Sequence, residues 1–227
     1  MYWRQGWEKA PEICKRCRDS WIYHNPEYEV VCLDKNSVRD FFKIERFIGG
    51  FKSKKISVQS YTDILRTHLL CSKGGIWCDA TIWCNIPMRE WLPSSFFAFS
   101  TPSKDRLVAS WFLSCDKQDY IIKQWKIATK EYWSSRKTHH DYYWFHLLFN
   151  EIYNKDKHIQ VQWDKQRKID CKIENNGGPH CFWPYTKERI EEIKKTGIPK
   201  DCPVFKLRYN KKLSSYPLIK NILFGSI

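Results

Sequence analysis

Between residues 61 and 85 the spacing of apolar side chains changes from a helical period to a strand period. Apolar residues recur three and four positions apart in residues 61–69, which predicts one buried face of a helix. Gly74 and Gly75 follow, and glycine readily adopts the backbone conformations that end a helix. From Ile76 the period is two, which predicts a β-strand as far as residue 85.

Four polar side chains stand out against this pattern. Asp63 and Arg66 lie three positions apart, so they are neighbours on the surface of the predicted helix. Asp79 and Thr81 lie two apart and share a face of the predicted strand, as two groups that meet one ion must. Two plainer interpretations stay open. In the first, Asp63 and Arg66 form an exposed ion pair of small energetic value. In the second, Asp79 is a polar residue at a strand end that caps a turn.

The same two periods predict the remaining elements. Helices are predicted at residues 11–23, 38–47, 119–132, 138–153 and 187–195. Strands are predicted at residues 29–33, 96–100, 108–115 and 204–209. Strands that alternate with helices predict the α/β class, with a mostly parallel central sheet flanked by helices. Ligands of such sheets bind beyond the carboxyl ends of the strands, where Asp79 and Thr81 fall.

Composition sets limits on size and partners. A chain of 227 residues, 42% of them hydrophobic, predicts a single domain over residues 1–227 with a sizeable core. Its 12 Trp, 12 Tyr and 13 Phe suit a core and also a cleft in which sugars stack on aromatic rings. The net charge of +14 favours polyanionic partners, namely nucleotides, anionic lipid headgroups or nucleic acid.

The ten cysteines do not predict a disulfide scaffold, because the sequence shows neither a signal peptide nor an apolar run long enough to span a bilayer. They are predicted to be reduced and mostly buried in a cytosolic protein. Cys14 and Cys17 have the spacing of a zinc-binding pair, but no second pair follows. Two helical cysteines on one face are the simpler interpretation.

The segment Asp63-Ile-Leu-Arg66 and the segment Gly74-Gly-Ile-Trp-Cys-Asp-Ala-Thr81 together resemble the capsular polysaccharide synthesis glycosyltransferases. They resemble, more distantly, the yeast-type α-mannosyltransferases and the sugar-transferring domain of large clostridial toxins. Weaker matches follow in order along nearly the whole chain, at residues 1–6, 109–112, 141–146 and 203–207. The resemblance implies a GT-A type domain that binds a nucleotide-sugar, with UDP as the nucleotide.

The resemblance also implies roles for individual residues. Relatives bring a divalent metal, Mn²⁺ or Mg²⁺, to the diphosphate with an Asp-x-Asp motif, which corresponds here to Asp79 and Thr81. A hydroxyl is a poorer ligand for such a hard cation than a carboxylate. Donor-binding positions of the relatives correspond to Trp3, Asp63, Arg66, Trp77 and Ser110. Many relatives carry asparagine where this chain has Ser110. Two residues precede Trp3, so the first strand is expected to be truncated or reduced.

Two further residues are candidates from their surroundings. Asp141 is a candidate for acceptor binding or for catalysis as a base, and a helix-start aspartate is the equal alternative. His180 lies in a glycine-rich turn and is a candidate metal ligand, with an exposed loop histidine as the favoured alternative.

The predicted function is transfer of a hexose-type sugar, with retention of configuration, to a glycan or lipid-linked glycan in capsule or other surface polysaccharide synthesis. Asp79, as metal ligand, and Asp141 are the candidate catalytic residues. The location is predicted to be cytoplasmic, with peripheral contact to the anionic inner face of the membrane. Two alternatives remain: a degenerate transferase that serves as a partner subunit, and a basic, aromatic-rich nucleic-acid-binding protein. No recognisable nucleic-acid-binding motif supports the latter.

Overall fold

Helices make up most of the regular structure in the computed structural model, which describes residues 1–173, 177–209, 219, 222 and 223. They are α1 (Glu12–His24), α2 (Ile44–Phe47), α3 (Val58–Lys73), α4 (Tyr120–Ser134), α5 (Trp144–Lys155), α6 (Lys157–Lys165) and α7 (Lys187–Thr196). The strands are β1 (Gly75–Cys78), β2 (Ile82–Cys84), β3 (Phe97–Ser103), β4 (Arg106–Cys115) and β5 (Val204–Lys206). Polar side chains fix several helix starts. Ser57, for example, accepts a hydrogen bond from the Ser60 amide at 3.0 Å.

The chain forms two compact units. Unit 1 comprises Met1–Asp34, Asp79–Leu92 and Asp170–Ile227, and unit 2 comprises Lys35–Cys78 and Pro93–Ile169. The boundary passes between Cys78 and Asp79, inside the segment that carries the family resemblance. The single domain predicted over residues 1–227 stays a prediction.

Unit 2 is built on an antiparallel sheet in the order β1-β4-β3, with helices α3, α4 and α5 against it or against each other. Large aromatic side chains fill its core. The Trp125 and Phe145 rings stack at 4.2 Å between centroids, and both side chains are fully buried. Such pairs stabilise a core beyond the area that they bury.

Unit 1 contains the antiparallel pair of β2 and β5, against which α1 packs. The Trp21 indole donates to the Ile82 carbonyl oxygen at 2.8 Å, which ties α1 to β2. Cys14 and Cys17 are fully buried in the core of this unit, as expected for two helical cysteines on one face. In all, nine of the ten cysteines are buried.

The predicted mostly parallel sheet is wrong for the described residues. Both sheets are antiparallel, and the only parallel pairing among the described residues is an isolated bridge between Tyr2 and Leu33. Strands β3 and β4 are consecutive and joined by the two residues Lys104 and Asp105. A connection this short permits antiparallel pairing alone, since parallel neighbours need a crossover of a dozen or more residues. Mixed helices and sheets are confirmed, whereas a GT-A type domain stays a prediction.

Four predictions of regular structure fail wholly or in part, because tertiary contacts override the local pattern. The strand predicted at 76–85 is broken after Cys78, where the Ile82 amide donates to the Asp79 carbonyl oxygen in a turn at 3.1 Å. Of the strand predicted at 29–33, Leu33 alone joins a bridge. The helix predicted at 138–153 begins only at Trp144, and that predicted at 38–47 is reduced to short helical turns. Among the described residues, no helix has the length and apolar character needed to cross a bilayer.

Candidate functional site

Arg66 lies at the centre of a polar group in unit 2. Its side chain is 5% exposed, and its Nη2 atom lies 3.1 Å from Oδ1 of Asp63, one helical turn away on α3. Its Nη1 atom donates to the Ser110 carbonyl oxygen, and its Nε atom donates to the Thr62 carbonyl oxygen at 3.2 Å. The pair is therefore a buried, hydrogen-bonded ion pair, and the exposed pair weighed from the sequence is wrong.

Trp77 and Ser110 join the same group. The guanidinium carbon of Arg66 lies 5.2 Å from the centroid of the buried Trp77 ring, a distance at which cation–π attraction operates. The Ser110 hydroxyl lies 3.1 Å from Nε2 of His146 on α5. Tertiary structure thus brings together four residues predicted to bind the donor: Asp63, Arg66, Trp77 and Ser110.

Asp141 is also in unit 2, immediately before α5. Its Oδ1 atom accepts a hydrogen bond from the Tyr143 amide at 2.5 Å, and its carbonyl oxygen accepts one from the Trp144 amide at 3.2 Å. This geometry is that of an aspartate that organises the turn before a helix. A role with the acceptor or as a base stays a prediction.

In unit 1, Asp79 and Thr81 meet through a lysine. The ammonium of Lys206 lies 3.2 Å from Oδ2 of Asp79 and donates to the Thr81 hydroxyl at 2.8 Å. The Lys206 side chain is 22% exposed and that of Asp79 is 28% exposed, so the pair is reachable from solvent. The two residues contact one cation, the ammonium of Lys206, but they lie in the turn between β1 and β2 and not on a shared face of one strand. Their binding of a metal ion stays a prediction.

His180 lies in the same electrostatic environment. Its pKa is lowered to about 4, first by burial and then by the positive charges of Lys206 and Arg208. The side chain is half-buried, so the exposed loop histidine favoured from the sequence is wrong. The neutral ring has a lone pair that could bind a metal, and its role as a metal ligand stays a prediction.

Trp3 lies near the start of unit 1 and packs against its core. Its ring meets the Tyr209 ring edge to face at 5.2 Å between centroids. Its indole nitrogen is buried and has no hydrogen-bond partner among the described residues. The role of Trp3 in donor binding stays a prediction from the resemblance.

The oxygen atoms at Asp79 and Thr81 fit a divalent metal poorly. They amount to one carboxylate and one hydroxyl, whereas hard cations are held by several oxygens and favour carboxylates. The Lys206 ammonium lies within hydrogen-bonding distance of both side chains. The described part of the chain contains no group of three or more His, Cys, Asp or Glu side chains able to hold a metal ion. The predicted Mn²⁺ or Mg²⁺ stays a prediction.

Three polar residues of these groups were missed in the sequence. Lys206 and Arg208 belong to a basic run near the end of a chain with 39 Lys and Arg, so charge alone did not single them out. His146 ends the stretch 141–146, which matches the family only weakly. The one usable signal for Lys206 was its place in a short stretch, 203–207, that also matches the family.

Comparison with known proteins identifies the family. The capsular polysaccharide synthesis protein family matches residues 1–222, and the chain therefore belongs to it. The resemblance drawn from the sequence is confirmed.

A curated relative matches part of the chain. It is the subversion of eukaryotic traffic protein A of Legionella pneumophila, which is 22% identical over an alignment of 143 residues. The match covers 51% of this chain. The chain covers 22% of that relative's length. Among solved structures, the PaToxG glycosyltransferase is similar with a TM-score of 0.47 and 12% identity, over 99% of this chain and 83% of the other.

Proposed function

We propose that this chain is a glycosyltransferase of surface polysaccharide synthesis, which moves a hexose-type sugar from a nucleotide-diphosphate donor, with UDP as the nucleotide, to a hydroxyl of a glycan. Membership of the capsular polysaccharide synthesis family supports this proposal. The structural observation that carries it is the contact of the Lys206 ammonium with Asp79 and Thr81. It gives unit 1 a partly exposed cation that contacts the segment carrying the family resemblance.

The chemistry of sugar transfer needs such a cation. The bond between the sugar C1 atom and the β-phosphate oxygen breaks, and both electrons stay on that oxygen. The acceptor oxygen bonds to C1 and its proton is released. Negative charge therefore grows on the diphosphate, and a cation fixed near it stabilises the transition state. Lys206 is the described basic residue whose ammonium contacts both Asp79 and Thr81.

The finer roles stay proposals from the resemblance. They are donor binding by Trp3, Asp63, Arg66, Trp77 and Ser110, acceptor or base chemistry at Asp141, and retention of configuration. A lipid-linked glycan acceptor, a cytoplasmic location and peripheral contact with an anionic membrane have the same standing.

The test is release of nucleotide from a panel of UDP- and GDP-sugars, each with Mn²⁺, Mg²⁺ or EDTA. The wild type is compared with Asp79→Asn, which removes the carboxylate charge beside Lys206. Asp19→Asn is the matched control, because Asp19 also lies in unit 1 and pairs with a cation, Arg18, at 2.6 Å.

Turnover of one donor by the wild type and the control, lost in Asp79→Asn, would support the proposal and name the sugar. Absence of turnover in every condition, together with no thermal stabilisation by any donor or by UDP, would contradict it. The degenerate-transferase and nucleic-acid-binding alternatives would then gain weight.

A further inference from the structure

The side chain of Lys206 occupies the place at which the family pattern puts a metal. Its ammonium contacts Oδ2 of Asp79 and Oγ1 of Thr81, the two atoms that correspond to the metal-binding positions of the relatives. Lys206 is 127 residues from Asp79 in the chain, so the contact is created by folding.

We propose that Lys206 replaces the divalent metal: its ammonium binds the donor diphosphate and neutralises the charge of the leaving group without a metal ion. This inference rests on the proposed function and names the group that performs its central electrostatic task. Asp79 and Thr81 are then positioning residues, which hold the ammonium where the diphosphate binds.

The backbone fixes the position of Lys206 on both sides. Its amide donates to the Pro179 carbonyl oxygen at 2.7 Å, and its carbonyl oxygen accepts from the Tyr185 hydroxyl at 3.0 Å. Within the antiparallel pair of β2 and β5, Lys206 lies opposite Ile82. The ammonium thus begins from a rigid backbone, which lowers the cost of orienting it for catalysis.

The ammonium also retains binding capacity. A lysine carries three N–H donors, and two of them suffice for the contacts with Asp79 and Thr81. The third can therefore be directed to a phosphate oxygen, and the 22% exposure of the side chain makes it reachable. Charge-assisted hydrogen bonds of this kind are among the strongest in proteins.

The Asp79 carboxylate already has a positively charged partner. The Lys206 ammonium lies 3.2 Å from its Oδ2 atom, and Thr81 contributes only a neutral hydroxyl. A divalent cation at these two side chains would have to displace that ammonium, whereas a diphosphate can bind to it directly.

The test is calorimetric titration of the full chain with UDP, and separately with GDP, in excess EDTA and again with Mn²⁺. The expected result is that one nucleotide binds in EDTA and that Mn²⁺ changes its affinity by less than about threefold. Lys206→Met removes the charge while keeping most of the side-chain length. It is expected to weaken binding by roughly ten- to a hundredfold, as for loss of a charged hydrogen bond.

Two further variants separate charge from folding. Lys206→Arg keeps a cation and is expected to retain most of the affinity. Lys172→Met removes a lysine of unit 1 that lies 3.8 Å from another aspartate, Asp170, and is expected to bind nucleotide like the wild type. Thermal melting of each variant checks that it is folded. If Lys206→Met does not fold, Lys206→Gln is titrated in its place: a greater loss of affinity than in Lys172→Met supports the proposal, and an affinity equal to that of Lys172→Met overturns it.

Different failures have different meanings. Tightening of nucleotide binding by tenfold or more on addition of Mn²⁺, lost in Asp79→Asn, would overturn the replacement of the metal and leave the transferase standing. Unchanged affinity in Lys206→Met would overturn the role of Lys206 in the same way. No binding of either nucleotide, with no turnover of any donor, would overturn the proposed function and this inference with it.

Discussion

Replacement of Arg66 by methionine is expected to destabilise unit 2 strongly, because the guanidinium is the buried partner of Asp63. The two side chains are 5% and 13% exposed, and 3.1 Å separates Nη2 from Oδ1. Removal of one partner from a buried ion pair costs about 3–5 kcal/mol. That is a large share of a typical free energy of unfolding of about 5–15 kcal/mol. Methionine is long and apolar and fills much of the space of the arginine side chain. The decrease in the free energy of unfolding therefore measures the missing charge more than the effect of a cavity.

A double-mutant cycle isolates the pair. Asp63→Asn is expected to cost about 1–3 kcal/mol, because the amide oxygen still accepts from Arg66 but the charge is lost. The double variant is expected to cost less than the sum of the single variants by about 1–3 kcal/mol, as for residues in direct contact. Urea titration followed by tryptophan fluorescence measures each free energy of unfolding.

Asp105→Asn is the matched control for this cycle. Asp105 also lies 3.1 Å from an arginine, Arg106, but its side chain is 62% exposed, so the change is expected to cost at most about 1 kcal/mol. The burial argument would be refuted by a cost below about 1 kcal/mol for Arg66→Met, or by a coupling energy near zero. Arg66 would then be a solvated group, available to a ligand without loss of stability.

Three other substitutions or conditions test the structure. Gly74→Ala should destabilise more than Gly75→Ala, by about 1–3 kcal/mol in urea titration, because both glycines have positive φ but a Cβ at Gly74 would lie 2.6 Å from a backbone nitrogen. His68 and His180 have pKa values lowered to about 4 from 6.5, so the unfolded chain binds more protons between these values. The free energy of unfolding should therefore fall as the pH drops from about 6.5 to 4, by at most about 1.4 kcal/mol per pH unit for each histidine. Asp141→Asn should keep the turn before α5 and the thermal stability, whereas Asp141→Ala should lose about 1 kcal/mol with the hydrogen bond to the Tyr143 amide.

Each of these has an outcome that would contradict it. Equal losses for the two glycine variants would show that the backbone relaxes around the added methyl group. If the free energy of unfolding depends on pH in His180→Gln and His68→Gln as it does in the wild type, the acid sensitivity comes from carboxylates instead. Equal stability of Asp141→Ala and Asp141→Asn would show that the hydrogen bond to the Tyr143 amide does not stabilise the turn before α5.

Helices with a clear period could be predicted because the contacts that form them are local. Residues 11–23 and 119–132 became α1 and α4 almost as predicted, with Asp119 accepting from the Ile122 amide at 3.2 Å at the start of α4. The hairpin strands β3 and β4 were also predicted close to their bounds. Among the α-helices of the described residues, α6 (Lys157–Lys165) was not predicted.

The break at Asp79 could not be predicted from the period of two. Residues 76–85 alternate like one strand, yet β1 pairs with β4 while β2 pairs with β5. Where a strand changes partner depends on segments far away in the chain, which a local pattern does not contain. The same limit explains the error over parallel pairing.

The candidate site likewise combines features that the sequence predicted with features that only the tertiary structure decided. The sequence by itself determined the family, because family membership is written in short, ordered motifs, and it predicted roles for Asp63, Arg66 and Asp79. Only the tertiary structure decided that Arg66 is a buried partner of Asp63 and that Asp79 faces Lys206. Burial and long-range pairing are properties of the packed chain, and a contact between residues 127 positions apart has no local signature.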